Sequence, residues 1–191
     1  MADSDDAPIL NLVGEKVALG PIRRDLVPVY ERWINDFEVV RTLAVSGPRP
    51  LTTEGEVAWY ERTALSDKDV SFTMYERASL RPIGSSGLHF VDHYNRTATF
   101  GILIGEKDCW GKGYGTEATR LVLDYAFTGL GLHNVMLNVF ANNERAIRAY
   151  RRAGFREIGR RRQAHRTGGD MEDVVFMDCL ATDLQVSTDV S

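Results

Sequence analysis

The chain is poor in the residues that make cross-links and metal cages. Its 191 residues include two cysteines, Cys109 and Cys179, and four histidines. Neither cysteine stands at metal-ligand spacing from a histidine, and two cysteines make no disulfide framework. A reducing compartment is the default expectation, with no metal. Long apolar runs are missing too: nothing approaches the ~18 residues that a membrane span needs. The start, Met1 to Asp6, is acidic and lacks the charged-then-apolar order of a secretory signal. These absences lead to a cytoplasmic protein with no membrane partner. A strong charge excess is also absent. The formal net charge of −4 gives no general affinity for nucleic acid.

What is present suits one globular domain. At 43% hydrophobic and 26% charged, the chain can bury a sizeable core. The expected organisation is a flexible leader at 1–13, a single domain at 14–181 and a polar tail at 182–191. The charge is uneven. Between Glu144 and Arg166 there are nine arginines against two glutamates, a local balance of about +7. Either a local anionic ligand or a solvated arginine surface accounts for that run.

Periodicity gives the elements. Residues 15–20 read as a short strand. Asp25 to Phe37 reads as a helix, with Leu26, Val29, Tyr30 and Trp33 at helical spacing. Arg41 to Thr52 is a loop. Thr53-Glu54-Gly55-Glu56 has capping-box spacing and opens a second helix. Val70 to Glu76 and Pro82 to Asp92 read as strands, Gly84 and Gly87 weakening the latter or marking a bulge. Thr97 to Ile104 is the antiparallel return strand. Thr116 to Phe127 is a helix with Ala118, Leu121, Val122, Tyr125 and Ala126 on one face. Asn134 to Phe140 alternates as a strand. Asn143 to Arg152 is a helix that Gly154 stops. Phe155 to Arg160 and Glu172 to Leu180 close the fold as an antiparallel pair. The class is α/β, with a mixed, mostly antiparallel central sheet and flanking helices.

The stretch Trp110-Gly111-Lys112-Gly113-Tyr114-Gly115-Thr116 joins a strand to a helix start. Glycines let the backbone come close to a ligand, and free N–H groups at a helix N-terminus attract phosphate. On the glycines alone, a tight turn and a phosphate cradle are both open. The Gly-x4-Gly-Lys-Ser/Thr order of nucleotide-binding loops is absent, because Lys112 precedes Gly113.

Trp110 to Ala118 resembles the acyl-CoA pyrophosphate loop of the GNAT N-acetyltransferases. A second block, Asn143 to Phe155 with Asn143, Tyr150, Gly154 and Phe155, resembles that family's asparagine–tyrosine–Gly-Phe segment. The two blocks are also spaced as in the family. The chain is most similar to the subgroup of ribosomal-protein N-terminal and spermidine acetyltransferases.

The resemblance implies an acyl-CoA N-acyltransferase fold and a reaction that moves an acetyl group from acetyl-CoA to a primary amine. The acceptor would be a small molecule, polyamine or aminoglycoside-like, or a protein N-terminus. A homodimer is left open. By the same resemblance, Gly111 to Thr116 receive the pyrophosphate, and Ile102, Leu103 and Ile104 pair with the pantetheine arm. Asn143 bonds the pantetheine amides, with a plain helix N-cap as its alternative. Asn138 lines the slot. Arg148 and Arg151 meet the 3′-phosphate or are simply solvated. Trp110 stands where the family usually has Gln or Arg.

Chemistry needs a base for the ammonium and an acid for the leaving thiolate. The resemblance places Tyr150 as the acid. It also expects a base two residues ahead of Gly101, but that residue is Thr99. Candidates are His89, since histidine changes charge near neutral pH, then Asp92, Glu106 or a water chain. The competing reading is a noncatalytic acyl-CoA-binding regulatory module, supported only by Thr99. A nucleic-acid binder using the arginine run is the remaining alternative.

Overall fold

Alternating burial decides the strands. In β6 (Asn134–Phe140), Val135, Leu137 and Val139 are buried, whereas Asn134, Met136 and Asn138 are half-covered. A period of two sends the apolar set to one face. The computed structural model describes residues 7–43 and 49–185. Its strands are β1 (Leu12–Val13), β2 (Val17–Pro21), β3 (Val70–Glu76), β4 (Pro82–Asp92), β5 (Thr97–Ile104), β6, β7 (Arg156–Thr167) and β8 (Asp170–Leu180). They form one sheet in the order β1-β2-β3-β4-β5-β6-β8-β7. Every neighbouring pair is antiparallel except β5 and β6. The expected mixed, mostly antiparallel sheet is what the chain forms.

The helices are α1 (Val27–Ile34), α2 (Phe37–Val40), α3 (Thr53–Ala64), α4 (Tyr114–Asp124), α5 (Glu144–Ala153) and α6 (Ala181–Gln185). Helix α4 lies in the connection between β5 and β6. Its Ala118, Val122 and Leu123 are fully buried against Leu19, Met74, Leu88 and Val135 in the main core cluster. A second cluster, Val27, Tyr30 and Trp33, gathers Trp59 and Tyr60, so α1 and α3 pack as a pair beside the sheet.

Several expected boundaries move, each for a local reason. The leader is not free to residue 13: Leu12 and Val13 pair with Leu19 and Ala18. The helix expected over 25–37 breaks at Asn35 and Asp36. The Asn35 amide bonds to the Leu51 backbone in both directions, and the Asp36 side chain accepts from the Glu38 N–H to cap α2. Such short polar side chains compete with the helix for backbone groups. Thr52, not Thr53, caps α3, its Oγ1 accepting from the Gly55 N–H at 3.2 Å. The Thr53 hydroxyl donates to Glu31 instead. Gly87 lies in regular pairing, but Gly84 does mark a bulge: Met74 pairs with Gly84 and Tyr75 with Pro82, which leaves Ile83 extra in β4. A second irregularity falls between His89 and Asp92. Helix α4 starts earlier than expected, at Tyr114, and runs into a π-turn over Tyr125–Gly129. The last two strands are longer than expected, and α6 occupies part of the expected tail. The expectations for 1–6, 44–48 and 186–191 lie outside the described residues.

Candidate active site

The parallel pairing of β5 and β6 is short. It runs from Thr97–Asn134 to Thr99–Met136 and stops. Beyond it β5 continues on β4, and β6 continues on β8. Three aromatic rings stand at the parting. Phe100, Tyr150 and Phe155 meet with centroids 6.0–6.2 Å apart. Among the described residues, Gly101 to Ile104 therefore have no strand on their β6 side. A cavity of about 280 Å³ opens there, lined by Ile102, Leu103 and Ile104, the glycine loop, and Asn143, Ala146 and Tyr150 of the α5 segment.

The loop is shaped by two left-handed glycines. Gly111 has φ +75° and Gly113 φ +93°, a region that side chains disfavour. Gly113 is the N-cap of α4 and offers no side-chain cap. The first-turn N–H groups of Tyr114, Gly115 and Thr116 have no acceptor among the described residues. That leaves a helix N-terminus open to an anion. Lys16 adds charge nearby, its Nζ 3.3 Å from the Lys112 carbonyl. The sequence reading missed Lys16, which reaches the loop from the far side of the chain. Trp110 fastens the loop to the strand end: its indole N–H donates to the Ile104 carbonyl at 2.9 Å. Arg145 lies over the Trp110 ring at 4.3 Å.

Of the other expected residues, some reach the cavity and some do not. The Asn143 Oδ1 accepts from the Ala146 N–H, so the N-cap role is real, and the residue also lines the cavity. Tyr150 lines it too, and burial pushes its hydroxyl up to about 12. Arg151 does not line it; Arg151 pairs with Glu157 at 3.2 Å, and Arg145, Arg148 and Arg152 are the arginines on the wall. Asn138 lies opposite Phe176 of β8 and lines neither this cavity nor the next. Lys112 is outside the wall as well. Tyr114 contributes its N–H, but its ring turns away and its hydroxyl donates to Glu76.

A second cavity, of about 630 Å³, shares Leu43, Ile102 and Leu103 with the first. Its wall includes Tyr30 and Trp33 of α1, Glu56 and Trp59 of α3, and His89 of β4. His89 stands opposite Thr99 in the sheet. Its Nδ1 lies 3.2 Å from Asp69, while its Nε2 lies beside Gly101, 3.1 Å from where a β-carbon there would sit. Burial disfavours the charged Asp69 carboxyl, but hydrogen bonds from Ser66 and His89 outweigh that and hold it below the usual range. Two other candidate bases are engaged elsewhere. Asp92 closes the β4–β5 turn by accepting from Asn95. Glu106 accepts from Trp33 and pairs with Arg32. Burial opposes its charge, yet those donors hold its carboxyl low. Glu56 is the residue the sequence reading passed over. It is 5% exposed, and burial first, then the Glu31 carboxylate, pushes it up to about 7.

The arrangement fits an extended acyl thioester with a pyrophosphate. Free N–H groups and positive-φ glycines line the first cavity together with an unpaired strand edge and the Tyr150 hydroxyl, which burial keeps protonated. Among the described residues, no group of three or more His, Cys, Asp or Glu side chains could hold a metal ion. No helix among them is long and apolar enough to cross a membrane.

Comparison with known proteins agrees. The family model described as an acetyltransferase (GNAT) domain matches residues 16–156. The human alpha/beta-tubulin-N-acetyltransferase 9 is 31% identical over 162 residues, covering 77% of this chain and 75% of that protein. A probable N-acetyltransferase of Bacillus subtilis, YjcK, is 31% identical over 145 residues, 74% of this chain and 77% of its own. The spermidine N-acetyltransferase of Vibrio cholerae, solved with CoA and spermine, superposes with TM-score 0.82. It is 23% identical and covers 90% of this chain and 99% of its own. The activity that goes with these relationships is acetyl-CoA-dependent N-acetylation of an amine. The splayed strands, the uncapped helix behind a glycine loop and the matched domain together place the chain in the GNAT acetyltransferase family.

Proposed function

We propose that the first cavity seats acetyl-CoA and the second admits the acceptor amine, with transfer at the Leu43–Ile102–Leu103 junction. The observation that carries this reading is the shared wall, with Tyr150 in one cavity and His89 in the other. Bound acetyl-CoA supplies the acetyl thioester. The Tyr114, Gly115 and Thr116 N–H groups hold the pyrophosphate, and Asn143 with the free edge of Ile102 to Ile104 orients the chain that follows. His89 Nε2 takes the proton from the acceptor ammonium, and Asp69 fixes the ring by its bond to Nδ1. Tyr150 keeps its proton at neutral pH and donates it to the departing sulfur.

The acceptor is a primary amine of a small molecule or a peptide N-terminus. A polyamine-type alkylamine is the first class to test, because the structural relative from Vibrio cholerae holds spermine. Against the noncatalytic alternative, His89 opposite Thr99 offers a base where the family's usual one is missing. The test is an amine panel with acetyl-CoA, read by thiol release. Thiol release that depends on an added amine is expected. Acetyl-CoA binding without amine-dependent release would overturn the catalytic reading. His89→Gln should lower kcat by about 10²-fold while leaving CoA binding intact. Wild-type turnover in His89→Gln, with chemistry rate-limiting, would remove His89 from the mechanism.

A further inference from the structure

Glu56 is a carboxylate in the wrong surroundings for a resting protein. It sits in the first turns of α3, 5% exposed. Its side chain makes no hydrogen bond and no ion pair among the described residues. Buried carboxylates are ordinarily paired, since an unpaired one forfeits its hydration without return. Its remaining surface faces the second cavity. The same wall carries the rings of Tyr30, Trp33 and Trp59, with Tyr30 and Trp59 edge-to-face at 5.8 Å. Ring faces and a desolvated carboxylate favour the same visitor, an organic cation.

We propose that Glu56 receives a positively charged nitrogen of the acceptor, making it the residue that selects alkylammonium substrates. The proposal rests on the N-acetyltransferase reading and deepens it. The other titratable and charged groups of this region are Glu31 and Tyr30 of α1, Arg62 of α3, His89 of β4, and Arg49. Arg49 and Arg62 are exposed, at the rim, and leave the interior charge to Glu56. Glu31 repels Glu56 and is already held by the Thr53 hydroxyl. Glu56 is pushed up to about 7 by its burial. A bound ammonium therefore drives the carboxyl to its charged form and releases a proton.

The test uses n-butylammonium as the probe and n-butanol as its uncharged counterpart, on the full chain and on Glu56→Gln. Thermal melts at pH 7 should rise with butylammonium and not with butanol, and the rise should vanish in Glu56→Gln. Calorimetry in two buffers of different ionisation enthalpy should show proton release on binding to the wild type only. With a turned-over amine, Glu56→Gln should raise the acceptor KM by about tenfold or more. The kcat should stay within about threefold and the acetyl-CoA KM should not move. Glu56→Asp, which keeps the charge, should retain part of the melting shift. Equal shifts in wild type and Glu56→Gln would overturn the proposal. So would a lost kcat at unchanged acceptor KM. The melting arm needs no turnover, so a failed amine panel sinks the catalytic reading without deciding Glu56.

Discussion

Tyr150 and Glu56 carry opposite consequences of the same physics. Both are pushed upward by burial, Tyr150 to about 12 and Glu56 to about 7. For the tyrosine this preserves a proton to give. Tyr150→Phe should lower kcat by about 10²-fold or more, the usual worth of a positioned acid, with the acetyl-CoA KM little changed. Full turnover in that variant, with chemistry rate-limiting, would end the role. For the glutamate, burial makes the charged form costly. Its folded value lies above the ordinary 4.5, so its stabilising contribution is complete below about pH 4.5 and is lost as pH rises through about 7. The gap corresponds to about 3 kcal/mol. Glu56→Gln should therefore flatten the fall in stability between pH 5 and 8 and be the more stable protein at pH 8. Urea unfolding at the two pH values checks this; identical slopes would show that Glu56 is not strained. Nothing local in the sequence announced it. Glu56 follows Thr53 at capping-box spacing, and only the packing of α1 over α3 shows that the cap is Thr52 and the glutamate turns inward.

Elements were legible where their signal was local. The ranges of β3, β4, β5 and β6 match the periodic reading, because each alternates or runs apolar between turn residues. The extension of β7 to Thr167 was not legible. Arg160 to Arg166 carry no strand pattern; their register comes from β8, which is a non-local pairing. The glycine loop was legible as a phosphate seat, but not the way it is fastened. That depends on the Trp110 indole reaching the Ile104 carbonyl, and on Lys16 arriving from the turn between β1 and β2. Gly113→Ala tests the element directly. At φ +93° a β-carbon costs roughly 1–2 kcal/mol, and relief of that strain would turn the α4 N–H groups away. The acetyl-CoA KM should rise severalfold with the acceptor KM unchanged. Equal losses in both constants would mean the variant had disturbed the fold and not the seat.

Across the whole molecule the charge is sorted by position. Six of the nine arginines in the run fall into two sets. Arg151 and Arg160 pair with Glu157, and Arg156 pairs with Asp183, so these hold the β7 edge. Arg145, Arg148 and Arg152 line the first cavity and not the second, Arg148 also pairing with Glu144 of its own helix. The sequence showed the excess of charge but not this division, since the Arg151–Glu157 and Arg156–Asp183 pairs join different elements. An acidic protein with a confined basic wall suits one anionic ligand better than a long polyanion. Ligand binding to the folded state alone stabilises it by about 2.7 kcal/mol at a hundredfold excess over Kd. For a domain of this size that is a rise in Tm of roughly 5–10 °C. CoA should produce a rise of that order. Dephospho-CoA, which lacks the 3′-phosphate, should need a higher concentration for the same rise, and the difference should shrink as salt is added. If the two compounds give superimposable curves, the three arginines are solvated side chains and the cavity recognises CoA by its pyrophosphate alone.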